Sequence, residues 1–283
     1  MTTFKKLYSK VKNNMGEVLT ILLMSIFFVI IVYPLIWTVL SSFKSTNEIF
    51  NNIWGLPKTW LFQNYVQAWD SGVAKYFFNS VFVTLATVVL TLVCACLYAY
   101  SMVIHEFKFK KALMILTVIG MLFSPIVSLI PLYQEIQKLG LYNTRLSLII
   151  IYTAYQIPIS FLLIHDHFKT INHDYLDAAR IDGCTDLQAL AAIFVPMSKP
   201  ILVTSAVLTG FYAWNEFSFA LILVKNDALR TIPVGLLFFK GEMHTEWAVL
   251  LAGLVISAIP IIVFFIFAQR YFIAGLSGDG IKG

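Results

Sequence analysis

The chain alternates between long stretches without charge and shorter polar ones. Uncharged runs cover Val18–Phe43, Tyr76–Ile104, Ala112–Gln134, Leu146–Ile164 and Trp247–Gln269, and a sixth, Pro200–Val224, is interrupted only by Glu216. About 20 apolar residues in a helix cross a hydrocarbon layer roughly 30 Å thick, so each run is long enough to span it. A transmembrane barrel would need short strands of strict in-and-out alternation, which these runs lack. The pattern predicts an all-α integral membrane protein of six transmembrane helices, at about 18–43, 76–104, 112–134, 146–164, 200–224 and 247–269.

The polar stretch between the fourth and fifth runs carries helix signals of its own. Asp174 and Asp177 stand early and Arg180 late in a first short helix, an order that suits the helix dipole. Asp182-Gly183 then predicts a break, because glycine tolerates the left-handed backbone that ends many helices. Thr185 with Gln188 reads as a capping box that starts a second helix, which Phe194 and Pro196 close. Pro200 suits the first turn of the next span. A helix–turn–helix over 171–196 follows. Its small residues Ala178, Ala179 and Gly183 would let a partner surface approach the backbone closely. An amphipathic helix packed under the bundle would carry the same pattern.

Composition agrees with the membrane reading. Hydrophobic residues make up 59% and charged residues only 12%, too little charge for the surface of a soluble domain. The first run is longer than the apolar core of a signal peptide and lacks a small-x-small cleavage site, so it reads as a retained anchor. Lys5, Lys6, Lys10 and Lys12 precede it, and Lys108, Lys110 and Lys111 crowd the loop after the second run. By the positive-inside rule, residues 1–17 form a basic cytoplasmic leader, and both termini and the 165–199 segment share that side. The net charge of +5 reflects these flanks rather than a nucleic-acid partner.

Several chemistries are excluded. Cys94, Cys96 and Cys184 fit neither a disulfide framework nor a metal site. The side chains of His165 and His167, two apart on a helix, do not face each other, and no metal ligand set forms. No Gly-x-x-x-x-Gly-Lys-Ser/Thr phosphate loop occurs, so any ATP must be bound by another subunit. No nucleophile–base pair stands in a soluble context, and no catalytic residue or cofactor is expected.

The external segment 44–75 carries Trp54, Trp60 and Trp69, and its Phe62–Trp69 stretch has aromatic residues on one side, as an interfacial helix would. The third run contains Pro125 and Pro131, and the fourth contains Pro158 just after Tyr155-Gln156. Proline inside a span kinks it and frees a carbonyl, which either protein neighbours or a watery cavity must accept. Tyr155, Gln156, Asn215 and Glu216 are therefore the candidate residues of a translocation path. Glu216 is the only acid within a run and is costly in lipid, although its place near the external face would also give it headgroup water.

The segment Asp177-Ala178-Ala179-x-x-Asp182-Gly183 resembles the Glu-Ala-Ala…Gly loop of ABC importer permeases. Further motifs occur in order along the chain: Tyr33-Pro34-Leu35-Ile36-Trp37 with Ser42-Phe43-Lys44, Asn79-Ser80, and Ile130-Pro131-Leu132-Tyr133 with Leu139-Gly140-Leu141-Tyr142-Asn143-Thr144. Ala213-Trp214-Asn215-Glu216-Phe217, Thr231-Ile232-Pro233-Val234-Gly235-Leu236 and the terminal Gln269-Arg270-Tyr271-Phe272…Gly275-Leu276…Lys282-Gly283 complete the set. Together they resemble the sugar-type binding-protein-dependent ABC permeases, in particular the second permease of maltose-like systems, from about Val18 to Gly283. Asp177 stands where that family usually has Glu, Asn172 where it has an upstream proline, and Cys184 where it has a third alanine.

The resemblance implies a permease domain over 18–283 in the cytoplasmic membrane. It implies two non-identical permeases, two cytoplasmic ABC ATPases that bind ATP and Mg²⁺, an extracytoplasmic sugar-binding protein, and a sugar or oligosaccharide as cargo. Lipid is the remaining partner. Asp177, Ala178, Ala179, Asp182, Gly183 and Pro196 would couple to the ATPase. Gly241, Glu242 and His244, in the last external loop, would meet the binding protein, and the tail near Ser277–Gly283 would lie by the ATPases. A permease for an amino acid, peptide or phosphate stays open. So does an ion-coupled secondary transporter, which calls for buried charges or repeats where only Glu216 is available.

Overall fold

The computed structural model describes the backbone of residues 2–238 and 246–276 and the side chains of 17–238, 246–266 and 269. All regular structure among them is helical. In chain order the helices are α1 (Thr2–Ser41), α2 (Thr46–Asn51), α3 (Gln63–Ala68), α4 (Ala74–Ile104), α5 (Lys110–Leu122), α6 (Pro125–Lys138) and α7 (Arg145–Phe168). They continue with α8 (Asp174–Ile181), α9 (Asp186–Ala189), α10 (Val195–Met197), α11 (Lys199–Asn215), α12 (Ser218–Leu223), α13 (Ile232–Leu237) and α14 (Trp247–Leu276). The chain forms two compact units, Met1–Ala68 with Gly241–Ile256, and Trp69–Lys240 with Ser257–Gly283.

In the first unit, polar and aromatic groups pin the external segment to the end of α1. Lys44 is almost fully buried, and its ammonium donates to the carbonyl of Asn52 at 2.7 Å, just past the end of α2 where the helix dipole is negative. Asn64 donates to the carbonyls of Ser42 (2.8 Å) and Lys44 (2.9 Å), and the Ser42 and Tyr65 hydroxyls meet at 2.6 Å. The Phe43 ring packs against Trp60, Phe62 and Tyr65. Trp37 donates to the Ile53 carbonyl at 2.8 Å, and Ile49 packs with Ala248 and Leu251 at the start of α14. The Trp37 and Ser42-Phe43-Lys44 motifs are thus the anchor of this segment.

The second unit is built on α4, α7 and α11. Lipid supplies no hydrophobic drive between helices, so close approach of small side chains takes its place. Thr87, Thr91, Ala95 and Ala99 recur every four residues on α4 and are all 0% exposed. Ser160 (α7) and Thr209 (α11) are buried as well, and their hydroxyls lie 3.4 Å apart. Apolar clusters close the two ends. Tyr100, Met102, Phe161, Ile164 and Phe168 meet Leu176, Leu190 and Phe194 at one end, and Val83, Leu148 and Tyr152 meet Phe219, Leu223 and Val234 at the other.

Among the described residues, four helical stretches are long and apolar enough to cross a membrane: Glu17–Ser41, Gln63–Ile104, Arg145–Phe168 and Trp247–Ile266. The number rises to six if each of two bent pairs counts as one span: Lys110–Leu122 with Pro125–Lys138 (104°), and Asp186–Met197 with Lys199–Asn215 (85°). The expected run 112–134 is therefore not one straight helix. Ser124 is extended (ψ 132°) and Pro125 opens α6, because a proline disfavours helical backbone at the residue before it yet suits a first helical turn. Pro131 and Pro158 stay inside α6 and α7.

The expected run 200–224 is also interrupted. α11 ends at Asn215, Glu216 is extended (ψ 127°), and α12 is a separate short helix. On the amino-terminal side, α3 (Gln63–Ala68) is followed by a kink within Trp69–Val73, where Gly72 has φ 125°, and then by α4.

Candidate functional site

The polar segment after α7 folds as its sequence signals dictate. α8 ends in paired backbone bonds, Gly183 N to Arg180 O (3.1 Å) and Cys184 N to Ala179 O (2.9 Å), around Gly183 at φ 80°. This is the left-handed glycine termination. Thr185 and Gln188 form the reciprocal capping box that opens α9. Pro196 does not close this helix. It lies in α10, preceded by a π-helical turn at Leu190–Phe194 in which Val195 N bonds back to Leu190 O. Proline lacks an N–H and its ring crowds the carbonyl four residues back, and the wider turn relieves both problems. The chain then turns at Ser198 into α11.

α8 has two distinct faces. Leu176 is buried in the apolar cluster formed with the ends of α4 and α7, and Ala179 is buried on the same face, whereas Asp174, Asp177, Ala178 and Ile181 are exposed. The resemblance places Ala179 with the contact residues, and the structure places it on the inner face instead. Ile181, at 87% exposure, and Tyr175 are the apolar groups on the outside of α8. Spacing could have revealed this, because Leu176 and Ala179 stand three apart and so share a helix face. The carboxylates of Asp177 and Asp182 have no hydrogen bond or ion pair among the described residues, whereas that of Asp174 accepts from Asn172 at 2.8 Å. Pro196 is exposed on α10.

The four candidate path residues have different surroundings: Tyr155 and Glu216 both contact Phe219, whereas Gln156 and Asn215 do not share those partners. The Glu216 carboxylate accepts from Phe219 N (2.8 Å) and Ala220 N (3.1 Å), capping α12, and from the Tyr152 hydroxyl at 2.6 Å. Tyr155 packs its ring against Phe219, Gln156 is buried on α7, and Asn215 is exposed and donates to the Phe211 carbonyl at 2.8 Å. Gly241, Glu242, His244 and the tail 277–283 lie outside the described residues.

Beside α12, a loop is stapled to the start of α4. Asn79 donates to the carbonyls of Ala228 and Arg230, both at 2.9 Å, and the Ser80 hydroxyl accepts from Ile232 N at 2.8 Å. Asn143, at φ 60°, accepts from Lys225 N and Asn226 N and donates its own N–H to Leu223 O. Asp227 accepts from Tyr76 (2.6 Å) and Arg230 (3.0 Å) and is paired with Lys75. The bonds from Lys75 and Tyr76 hold its carboxyl below the usual carboxylate range.

A depressed folded value stabilises the fold above the unfolded value, near 4, and is lost as pH falls through the folded one. The thermal advantage of the wild type over Asp227→Asn in detergent is therefore expected to be constant above about pH 5 and to shrink below about pH 4. The advantage should be modest, since Asp227 is half exposed. Melting curves against pH check this, and a gap that widens on acidification contradicts it.

Long apolar helices, with two further sharply bent helix pairs, define a multi-pass membrane protein. The chain belongs to the family described as "binding-protein-dependent transport system inner membrane component", whose model matches residues 87–277. Its relatives include YurM of Bacillus subtilis (strain 168), described as a probable ABC transporter permease protein, which is 45% identical over 272 residues, 96% of this chain and 91% of that one. The diacetylchitobiose uptake system permease protein NgcG of Streptomyces coelicolor is 30% identical over 255 residues, 89% of this chain and 84% of its own. One chain in the crystal structure of a bacterial ABC transporter involved in the import of the acidic polysaccharide alginate matches with TM-score 0.83 at 23% identity. The match covers 92% of this chain and 98% of that one, and it shows the shared fold.

Proposed function

We propose that this chain is one permease subunit of an ATP-driven ABC importer for sugars or oligosaccharides, paired with a second, non-identical permease. Two cytoplasmic ATPases bind ATP and Mg²⁺, and an extracytoplasmic protein delivers the sugar. The chain itself binds no cofactor and hydrolyses nothing. The observation that carries the coupling part is α8, whose outer face is free while its inner face is packed on the ends of α4 and α7. A push on that face moves the spans with it. The sugar class rests on the saccharide-uptake relative and on the motif order of the whole chain. The α8 segment and both termini lie in the cytoplasm, on the side of the basic flanks.

Cells lacking this chain are expected to lose uptake of one labelled saccharide from a panel of mono- to tetrasaccharides, restored by the wild-type chain. Loss of amino-acid, peptide or phosphate uptake with saccharide uptake intact overturns the sugar reading. For orientation, Lys169→Cys in a chain with Cys94, Cys96 and Cys184 replaced is expected to be shielded from impermeant thiol reagents in whole cells, while Asn51→Cys is labelled. The reverse pattern overturns the topology.

A further inference from the structure

The ends of α4 and α8 and the start of α9 converge on one carboxylate, Asp186. Its Oδ1 accepts from the Tyr100 hydroxyl of α4 at 3.4 Å and from Arg180 Nη2 of α8 at 3.3 Å. Its Oδ2 faces Nε2 of His105, just past the end of α4, at 3.6 Å. Asp186 is the first residue of α9, directly behind the capping box, where a carboxylate suits the helix dipole and the backbone is fixed. Tyr100 is 4% exposed and packs edge-to-face on Phe194, 5.1 Å between ring centres, and Phe194 packs in turn on Phe168 of α7.

The geometry points to Asp186 as a positioning residue that fixes α8 against α4, so that movement of a docked ATPase turns the span rather than sliding past it. This rests on the proposed function. The apolar cluster beneath α8 resists separation, but burial is non-directional and leaves sliding and rotation free. Hydrogen bonds are directional, and Asp186 supplies them to two elements at once. The other acids of the segment divide from it clearly. The Asp177 side chain is exposed and has no partner among the described residues, whereas Asp186 has three. Its contacts are long and half exposed, so they add little to folding stability. Any loss on removal is then a loss of transmission.

The test uses membranes containing the whole importer, with permease level, co-purified ATPase, uptake and ATP hydrolysed per solute imported all measured. Asp186→Ala and Tyr100→Phe are each expected to lower uptake about fivefold to tenfold, the range that coupling residues reach. Permease level and ATPase co-purification should stay at wild-type values, more ATP should be consumed per solute, and Asp186→Glu should restore coupling. Wild-type uptake in both variants overturns the inference. So does a fallen permease level, which makes Asp186 a folding residue, or lost ATPase co-purification, which makes it a docking residue. If the wild-type chain itself retains no ATPase, the proposed function fails first and is recognised as such.

Discussion

Glu216→Ala is expected to lower the stability of the purified protein by about 2–4 kcal/mol, because three groups lose their acceptor together. Phe219 N and Ala220 N are the free donors of the first turn of α12, and the Tyr152 hydroxyl is the third. Tyr152 is fully buried and Phe219 and Ala220 nearly so, leaving little room for water to replace the carboxylate. Glu216→Gln keeps an amide oxygen that can accept from α12 and is expected to retain most of the stability and uptake. Tyr152→Phe, losing one bond, should fall between them, at about 1 kcal/mol. Melting temperature and uptake, measured on the same variants, separate two roles. If Glu216→Gln melts like the wild type yet transports nothing, the carboxylate acts on the solute path rather than as a cap.

That contrast shows where sequence reasoning reaches and where it stops. Apolar runs of membrane length are visible without any structure, and so is the polar segment with Gly183 and its Thr185–Gln188 box, because each signal lies within a few residues. The role of Glu216 is not visible, since its hydroxyl partner stands on α7, 64 positions earlier. In sequence it reads only as an acid in an apolar run. Asn79-Ser80 and Asn143 are recognisable as motifs, but what they hold, the backbone of Lys225–Ile232, lies between about 80 and 150 positions away.

The two broken runs fail for a different reason. Around Pro125 and around Glu216 the composition stays apolar, so hydropathy continues straight through the turn. Only local chemistry could have marked the breaks. At Ser124 it is the restriction that proline places on its predecessor. At Glu216 it is an acid able to cap the helix that follows it. Ala178 and Ala179 read as one patch in the sequence because they are adjacent and alike. One faces out and the other in, as any two neighbours on a helix of 3.6 residues per turn must diverge.

Ala178→Trp is expected to abolish retention of the ATPase, with a loss of uptake of 100-fold or about that scale for a disrupted interface centre. It should leave the permease level unchanged. Ala178 is exposed, so the indole has space in the free chain and meets an obstacle only when a partner surface closes on α8. Asp177→Lys should act alike by reversing a charge that nothing among the described residues neutralises. Ala179→Trp provides the control. That side chain is buried, at 7% exposure, so overpacking should reduce the amount of folded permease itself. Gly183→Val adds a backbone test. No atom lies within 4 Å of where its Cβ would stand, so any effect comes from forcing φ 80° on a β-branched residue and misdirecting α8. Co-purification of the ATPase at matched permease levels measures all four. If Ala178→Trp, Asp177→Lys and Gly183→Val all bind the ATPase and transport normally, α8 is a linker between spans and another surface of the chain receives the stroke.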